Sequence, residues 1–168
     1  MAGVLVVYFS RSGVTEKLAT QLAAKLGADL ELVKPAVSYA GRTGYMKAGW
    51  HSLRRRAPAV DCKRDPTDYS VVIIGSPVWA GRLSAPMRSY LMRFRGRIGH
   101  MAAFWVSASG QGYSRVRSEI EQLTGQAALT TASFSEREVL SDTAGVKLEL
   151  LAQVIGAHLP GARIIGRE

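Results

Sequence analysis

The sequence predicts an α/β domain with a doubly wound parallel sheet, because two kinds of hydrophobic pattern alternate along its 168 residues. Short, continuous apolar runs indicate strands that are covered on both faces, and segments with an apolar residue at every third or fourth position indicate amphipathic helices. The length suits one ordinary domain, and a hydrophobic content of 47% is enough for one buried core. We therefore expect residues 1–168 to form a single domain.

The first half of the chain predicts two strands and two helices. The apolar run Val4 to Phe9 is the first strand, and the helix after it has an apolar residue at every fourth position from Val14 to Leu26 before Gly27 ends it. The second strand, Ala28 to Val33, alternates, so we expect its two leucines to face one side and its two acidic residues the other. A second helix is expected within Tyr39 to Arg56.

The second half predicts three more pairs of strand and helix. The strands are runs of apolar, β-branched or hydroxyl residues at Val71 to Ile74, which Gly75 ends, Met101 to Val106 and Leu129 to Phe134. Helical spacing follows in Met87 to Phe94, Val116 to Leu123 and Val146 to Ile155. Ser141, Asp142 or Thr143 is expected to cap the last helix.

The order of the strands follows from their burial. The first, third and fourth strands are apolar throughout and are therefore central, with the second and fifth beside them. Right-handed crossovers then give a five-stranded parallel sheet of order 2-1-3-4-5 with helices on both faces. Ligands of such a sheet bind beyond the carboxyl ends of the strands, beside the switch point between the first and third. The candidate loops therefore begin at Ser10, Ser76 and Ser107.

The first loop, Ser10 to Thr15, has the composition of a phosphate site. It offers three hydroxyls, one glycine and the N-terminus of a helix, where unpaired N–H groups and the helix dipole attract an anion. It lacks the further glycines of a dinucleotide fingerprint and the Gly-Lys-Ser/Thr ending of a nucleoside-triphosphate loop. A phosphate monoester is therefore predicted, and a helix cap formed by Ser12 with Thr15 is a compatible interpretation.

The second and third loops have features that suit a planar ligand. Trp79 lies on a turn after a buried strand, and we expect it to stack on a ligand ring, since a core tryptophan usually lies inside a strand or on a helical stripe. Gly81 permits a positive φ, which allows its carbonyl to face a ring nitrogen in different redox states. Small residues in Ser107 to Gly112 let backbone amides approach a polar ring edge, and Tyr113 either covers the other ring face or begins the next helix.

Together these loops resemble the FMN site of the flavodoxin family, and Tyr-Phe-Ser-Arg-Ser-Gly-Val-Thr after the first strand is similar to that family's FMN-phosphate loop. The similarity covers essentially the whole chain and is to short-chain members, which lack a segment splitting the fifth strand. It implies FMN as the cofactor. The residues that would hold its phosphate are Ser10, Arg11, Ser12, Gly13, Val14 and Thr15. Those that would line one side of the flavin ring are Pro77, Val78, Trp79, Ala80 and Gly81, with Arg82 beside them. Those on the other side would be Ser107, Ala108, Ser109, Gly110, Gln111, Gly112 and Tyr113.

The charge distribution indicates which reaction such a flavin would perform. The net charge is +9, and no acidic residue occurs between Asp68 and Glu119, a span with seven arginines. One face should be positive and favour anionic partners, whereas flavodoxins that carry electrons typically have an acidic surface around the flavin. An arginine such as Arg82 or Arg11 about 7 Å from a reduced, anionic flavin would stabilise it by roughly 2 kcal/mol at a dielectric of about 20. That is on the order of 100 mV for one electron and favours two-electron cycling.

We therefore predict an FMN-dependent oxidoreductase that accepts reducing equivalents, with NAD(P)H as a donor, and passes them to a quinone or a similar acceptor. A first alternative is a one-electron carrier that serves protein redox partners. A second is a scaffold that binds nucleic acid or an anionic membrane through Arg54 to Arg56 and Arg93 to Arg97. It ranks last because no aromatic residues are interleaved with Arg54 to Arg56 as in nucleic-acid-binding segments.

Several other classes are disfavoured. The single cysteine, Cys62, allows no internal disulfide, and no Cys/His cluster has zinc-site spacing. The apolar stretches are far shorter than the roughly 18 residues of a membrane span. No signal peptide is recognised at the N-terminus, so the expected location is the cytoplasm. The three histidines have no triad context, and the oligomeric state is left open.

Overall fold

The computed structural model describes residues 3–36 and 58–159. Its strands are β1 (Val4–Tyr8), β2 (Asp29–Leu32), β3 (Lys34–Pro35), β4 (Val60–Asp61), β5 (Val71–Trp79), β6 (Arg82–Leu83), β7 (His100–Ser107) and β8 (Thr131–Ser135). Its helices are α1 (Val14–Leu26), α2 (Ala85–Arg93), α3 (Ser114–Thr124), α4 (Glu136–Leu140) and α5 (Gly145–Gly156), with one 3₁₀ turn at Pro66–Asp68. The predicted helix within Tyr39 to Arg56 lies outside the described residues.

The central sheet has the predicted topology. Its strand order is β2-β1-β5-β7-β8 and every neighbouring pair is parallel, which confirms the order 2-1-3-4-5 for the five long strands. β6 pairs antiparallel with the end of β5, and β3 and β4 form a separate two-stranded ribbon. The fold is therefore a doubly wound α/β sheet with helices on both faces.

Two hydrophobic clusters explain why the central strands are apolar throughout. Alternate residues of β1 point to opposite faces, so Leu5 joins the cluster beneath α2 and α3 while Val6 joins the cluster beneath α1 and α5. Fully buried helical residues such as Leu91 on one face and Leu22 on the other complete the two layers. Burial of both faces fixes the sheet and, with it, the positions of the loops at its carboxyl edge.

In β2, burial does not follow residue type. Glu31 is only 5% exposed, whereas Leu32 is 37% exposed. The carboxylate of Glu31 accepts a hydrogen bond of 2.7 Å from the backbone N–H of Lys63, beside β4. This bond satisfies the acidic group away from bulk solvent, which the alternation of residue types could not reveal.

The last helix, α5, includes the predicted Val146 to Ile155 but is not capped as predicted. A short additional helix, α4, precedes it and begins with a capping box in which the side chains of Ser135 and Glu138 each bond the other's backbone N–H. The N-cap position of α5 is Ala144. The predicted caps Ser141, Asp142 and Thr143 lie in the connection between the two helices and do not cap α5. Within the described ranges, no helix is both long and apolar enough to cross a membrane.

Candidate functional site

Strand pairing brings the starts of the three predicted loops to one edge of the sheet. Tyr8 at the end of β1 pairs with Gly75 of β5, and Gly75 pairs with Phe104 of β7. The backbone N–H of Phe9 continues this pattern by donating to the carbonyl of Gly75 at 3.2 Å. The loops that follow β1 and β7 therefore flank the projecting end of β5.

The first loop presents the N-terminus of α1 without a side-chain cap. Gly13 occupies the N-cap position with φ of 85°, and no side-chain hydrogen bond caps the helix. The N–H of Gly13 itself donates to Oγ of Ser10 at 3.1 Å. The interpretation of Ser12 as a helix cap is therefore wrong, because Gly13 takes that position. The N–H groups of the first turn have no intrahelical partner, and an anion can satisfy them.

The six predicted phosphate residues differ in exposure. Arg11, Ser12 and Gly13 are exposed and Ser10 is half-buried, while Val14 and Thr15 are buried in the first turn of α1. The first four residues can therefore contact a ligand with side chains or backbone. The last two would act through the backbone amides at the start of the helix.

Sequence reasoning missed an acidic partner beside this loop. The hydroxyl of Tyr8 donates to a carboxylate oxygen of Glu16 at 3.2 Å. Burial, followed by the negative charge of Glu16, raises the pKa of Tyr8 to about 12. Glu16 lies in the first turn of α1, where the helix dipole favours a negative charge. The Tyr8 phenol is therefore a neutral donor at the base of the loop.

The loop after β7 repeats the turn that follows β1. Ser107-Ala108-Ser109-Gly110 has the same Ser-x-Ser-Gly pattern as the first loop, and Oγ of Ser107 accepts the N–H of Gly110 at 2.9 Å. Gly110 also has a positive φ, of 69°. A Cβ at this position would lie 2.9 Å from the backbone nitrogen of Ser135, so the turn packs tightly against the end of β8. Only glycine meets both requirements.

The second predicted loop is largely a β-hairpin. Ala80 and Gly81 both have positive φ, 50° and 69°, which makes a two-residue turn of the I′ class between β5 and β6. At its base, Oγ of Ser76 lies 2.9 Å from Oγ of Ser84 and accepts the backbone N–H of Ser84 at 3.3 Å. Pro77 and Val78, which precede the turn, belong to β5 and are half-buried.

The expected environment of Trp79 is wrong. Trp79 is the last residue of β5, pairs with Arg82 and is 7% exposed within the core. Its ring packs edge to face against Phe9, with ring centroids 5.3 Å apart and an interplanar angle of 88°. The side chain is therefore covered by protein in this conformation. Stacking of Trp79 on a ligand stays a prediction that requires this ring to leave the core.

The side chain of Tyr113 lies close to the hairpin turn. It is half-buried, and its hydroxyl lies 3.3 Å from Oγ of Ser109. A Cβ placed on Gly81 would be 3.9 Å from the Tyr113 ring. A flat ring inserted between two groups needs about 7 Å, since each face requires roughly 3.5 Å. A flavin between the turn and Tyr113 would therefore require Tyr113 to move. Gln111 and Gly112, on the same loop, are exposed.

The positive face is smaller than the sequence predicts. Three of the seven arginines form ion pairs: Arg88 with Glu119 at 2.7 Å, Arg97 with Asp65 at 3.0 Å and Arg117 with Glu121 at 3.0 Å. Arg88 is 3% exposed and belongs to the interior. Arg54 to Arg56 lie outside the described residues.

Metal binding and cysteine chemistry have little support among the described residues. Among the residues that the structure describes, no group of three or more His, Cys, Asp or Glu side chains could hold a metal ion. Burial raises the pKa of the Cys62 thiol, which makes it a weaker nucleophile at neutral pH. The loops at the carboxyl edge thus remain the candidate site.

The sequence matches the flavodoxin family over residues 3–143. None of the curated proteins matches it. The fold resembles a flavoprotein in complex with FMN from Lactobacillus acidophilus NCFM, with a TM-score of 0.69 and 23% identity, over 89% of this chain and 99% of that one. It also resembles the apo form of the flavoprotein from Lactobacillus acidophilus NCFM, with a TM-score of 0.61 and 24% identity, over 82% of this chain and 96% of that one. An NADH:FMN oxidoreductase in its apo form has a TM-score of 0.54 at 9% identity, over 97% of this chain and 92% of that one.

Proposed function

This chain belongs to the flavodoxin family, and we propose that it is an FMN-binding oxidoreductase. The observation that carries the proposal is the N-terminus of α1, which no side chain caps and which follows the exposed turn Ser10 to Gly13. The family match and a structural neighbour solved with FMN support the choice of ligand. Bound FMN would supply a ring that accepts and donates hydride or electrons.

The phosphate of FMN would be held at the start of α1. Gly13 shapes the turn through its positive φ, and the N–H groups of Val14, Thr15 and Glu16 form the first turn of the helix. The hydroxyls of half-buried Ser10 and exposed Ser12 add neutral donors, and Arg11 adds a positive charge. This donor set suits a phosphate dianion because amides, hydroxyls and one cation share its charge.

The flavin ring would lie between the first loop and the structures that follow β5 and β7. The hairpin turn at Ala80 and Gly81 has small side chains, so its backbone could approach the ring closely. The Ser107 to Gly110 turn could offer backbone amides to the polar edge of the ring. Tyr113 would cover one face after moving away from Gly81. These loops contain no carboxylate, so their residues place no negative charge against the reduced ring.

We propose two-electron reduction of a quinone or a similar acceptor, with NAD(P)H as the donor. Arg82, at the end of the hairpin, supports this direction because a positive charge near the ring favours the reduced anion. The name of one structural neighbour, NADH:FMN oxidoreductase, gives a precedent for nicotinamide chemistry on this fold.

The one-electron carrier remains the second candidate, because the ion pairs of Arg97 and Arg117 make the protein surface less positive than the sequence indicates. The two-electron prediction depends on Arg82 or Arg11, which these pairs do not involve. A carrier would exchange electrons with a protein and would react slowly with NAD(P)H.

Two measurements test these proposals. The purified protein is incubated with FMN or with riboflavin, which lacks the phosphate, and the flavin retained through a desalting column is measured by visible absorption. We expect FMN to be retained at one per chain and riboflavin to be lost, and equal loss of both would refute the phosphate site. The FMN-loaded protein is then mixed anaerobically with NADH or NADPH. Rapid bleaching, reversed by a benzoquinone, supports the reductase, and reduction by dithionite alone supports the carrier.

A further inference from the structure

A polar cavity of about 390 Å³ lies between the β5–β6 hairpin and the first turns of α3. Its lining residues are all polar or charged: Arg82, Ser114, Arg115, Ser118, Glu119 and Gln122. The volume is within the range of cavities that bind small molecules, roughly 300–1,000 Å³. The cavity is therefore large enough for the charged part of a small molecule.

The single carboxylate in the cavity wall is already paired. Glu119 accepts a hydrogen bond of 2.7 Å from Nε of the buried Arg88 and one of 3.3 Å from the backbone N–H of Leu83. Arg88 in turn donates to the carbonyl of Leu83 at 3.1 Å. The charge of Glu119 is thus compensated from the protein side of the wall.

The two arginines of the cavity wall are not compensated in this way. Neither Arg82 nor Arg115 forms an ion pair within residues 3–36 and 58–159. With Glu119 neutralised by Arg88, the cavity carries an excess positive charge next to the hydroxyls of Ser114 and Ser118. Guanidinium and hydroxyl groups together form the donor set that recognises a carboxylate or a phosphate.

The cavity adjoins the proposed flavin site. Arg82 directly follows Gly81 and Ser114 directly follows Tyr113, and a Cβ on Gly81 would lie only 3.9 Å from the Tyr113 ring. Two residues that line the cavity are therefore next in sequence to residues assigned to the ring. A molecule whose reactive part reaches the flavin can place a charged part in this cavity.

We propose that Arg82 and Arg115 bind the anionic group, a phosphate or a carboxylate, of the small molecule that exchanges electrons with the flavin. The proposal rests on the proposed function for the identity of that molecule. The anion site itself rests only on the cavity and its charges. Because both charges lie in a concave wall, the ligand is a small molecule rather than the flat surface of an acidic protein.

The anion site is tested by isothermal titration of the FMN-loaded protein with pyrophosphate and with citrate. The variants are Arg82→Gln, Arg115→Gln and the double variant, and Arg95→Gln is the matched control, since Arg95 is exposed and carries the same charge outside the cavity. Each cavity substitution should weaken binding of at least one anion about tenfold, and the control should not. FMN affinity should be unchanged in Arg115→Gln, since Arg115 lies in α3, outside the loops assigned to FMN. Equal binding by the double variant and the wild type, or equal loss in the control, overturns the proposal.

The source of the anionic group is then identified with steady-state kinetics. The double variant is assayed with NADH against NADPH, and with benzoquinone against a carboxylated benzoquinone. A higher KM confined to NADPH assigns the cavity to the phosphate of the donor, and one confined to the carboxylated quinone assigns it to the acceptor. Unchanged KM values for all four overturn the electron-exchange role. If no FMN-loaded protein can be prepared, the proposed function fails, and the same anion titrations on the flavin-free chain still decide whether the cavity binds anions.

Discussion

Gly13 tests the proposed phosphate site directly, because its replacement by alanine changes the backbone without causing a collision. Its φ is 85°, and a Cβ added there meets no atom within 4 Å. An L-residue with left-handed φ costs roughly 1–2 kcal/mol. The turn is exposed, and the bond between the Gly13 N–H and Ser10 Oγ joins its two ends. We therefore expect the free loop of Gly13→Ala to relax to another conformation, so that FMN must restore the strained one at that cost.

The expected result is an FMN dissociation constant raised by about 5- to 30-fold, which corresponds to those 1–2 kcal/mol. Gly27 is the matched control, because it ends the same helix with φ of 60° and an equally open Cβ direction. The N–H groups of Gly27 and Ala28 both bond the carbonyl of Ala23, so this end cannot relax. Gly27→Ala should therefore lower the unfolding free energy by about 1 kcal/mol and leave FMN binding unchanged.

Quenching of flavin fluorescence measures the affinity of both variants, and urea unfolding of the flavin-free proteins measures their stability. A wild-type affinity in Gly13→Ala would refute the assignment of the phosphate to the start of α1. An equal loss of affinity in Gly27→Ala would show that a general destabilisation, rather than the shape of the loop, weakens binding.

Three further predictions concern charged and titratable groups. Arg88→Met removes the 3% exposed cation that pairs with Glu119, itself 13% exposed, so the unfolding free energy in urea should fall by about 3 kcal/mol, and replacing both residues by apolar ones should cost less. Hydrogen bonds from Lys147 and the cap of α4 lower the pKa of Glu138 from 4.5 to about 2. Its contribution to stability is therefore present above pH 4.5 and is lost as the pH falls toward 2. In Glu138→Gln the midpoint of urea unfolding should vary less between these pH values. An unchanged pH dependence would show that Glu138 is not the group that titrates. Burial, followed by the charge of Glu16, raises the pKa of Tyr8 to about 12, so this pKa should fall in Glu16→Gln. Tyrosinate absorption, with Tyr8→Phe as the blank, measures the pKa. An unchanged pKa would mean that Glu16 does not contribute to the shift.

Hydrophobic patterning was sufficient to predict the strand order, but it misplaced the end of β5. Gly75 was taken as the end of that strand, whereas it lies inside it, and a Cβ there would be 2.5 Å from the Phe104 ring on β7. A glycine within a strand can mark the close approach of a neighbouring side chain instead of a turn. That neighbour is remote in sequence, so the local pattern could not distinguish the two cases.

The local pattern also failed to show that Trp79 belongs to β5 and not to a turn. A two-residue hairpin turn of the I′ class is usually recognised by Asn-Gly or Asp-Gly, and here the first position is Ala80, with φ of 50°. Without that signal, the sequence indicated a turn at Trp79 and not the last residue of a strand; the stacking of Trp79 on a ligand stays a prediction. The ion pair of Arg88 with Glu119 could not be predicted from local sequence either, because the two residues are 31 positions apart.

The two Ser-x-Ser-Gly turns have the same local sequence but lead into their helices differently. Both close with a serine hydroxyl that accepts the N–H of a glycine with positive φ. After Gly13 the helix begins at the next residue, so the turn delivers the amides of α1 to an anion. After Gly110 the helix begins only at Ser114, and the intervening residues place Tyr113 against the hairpin. The distance from each glycine to its helix therefore agrees with our proposal that the phosphate binds at the first turn and the flavin ring at the second.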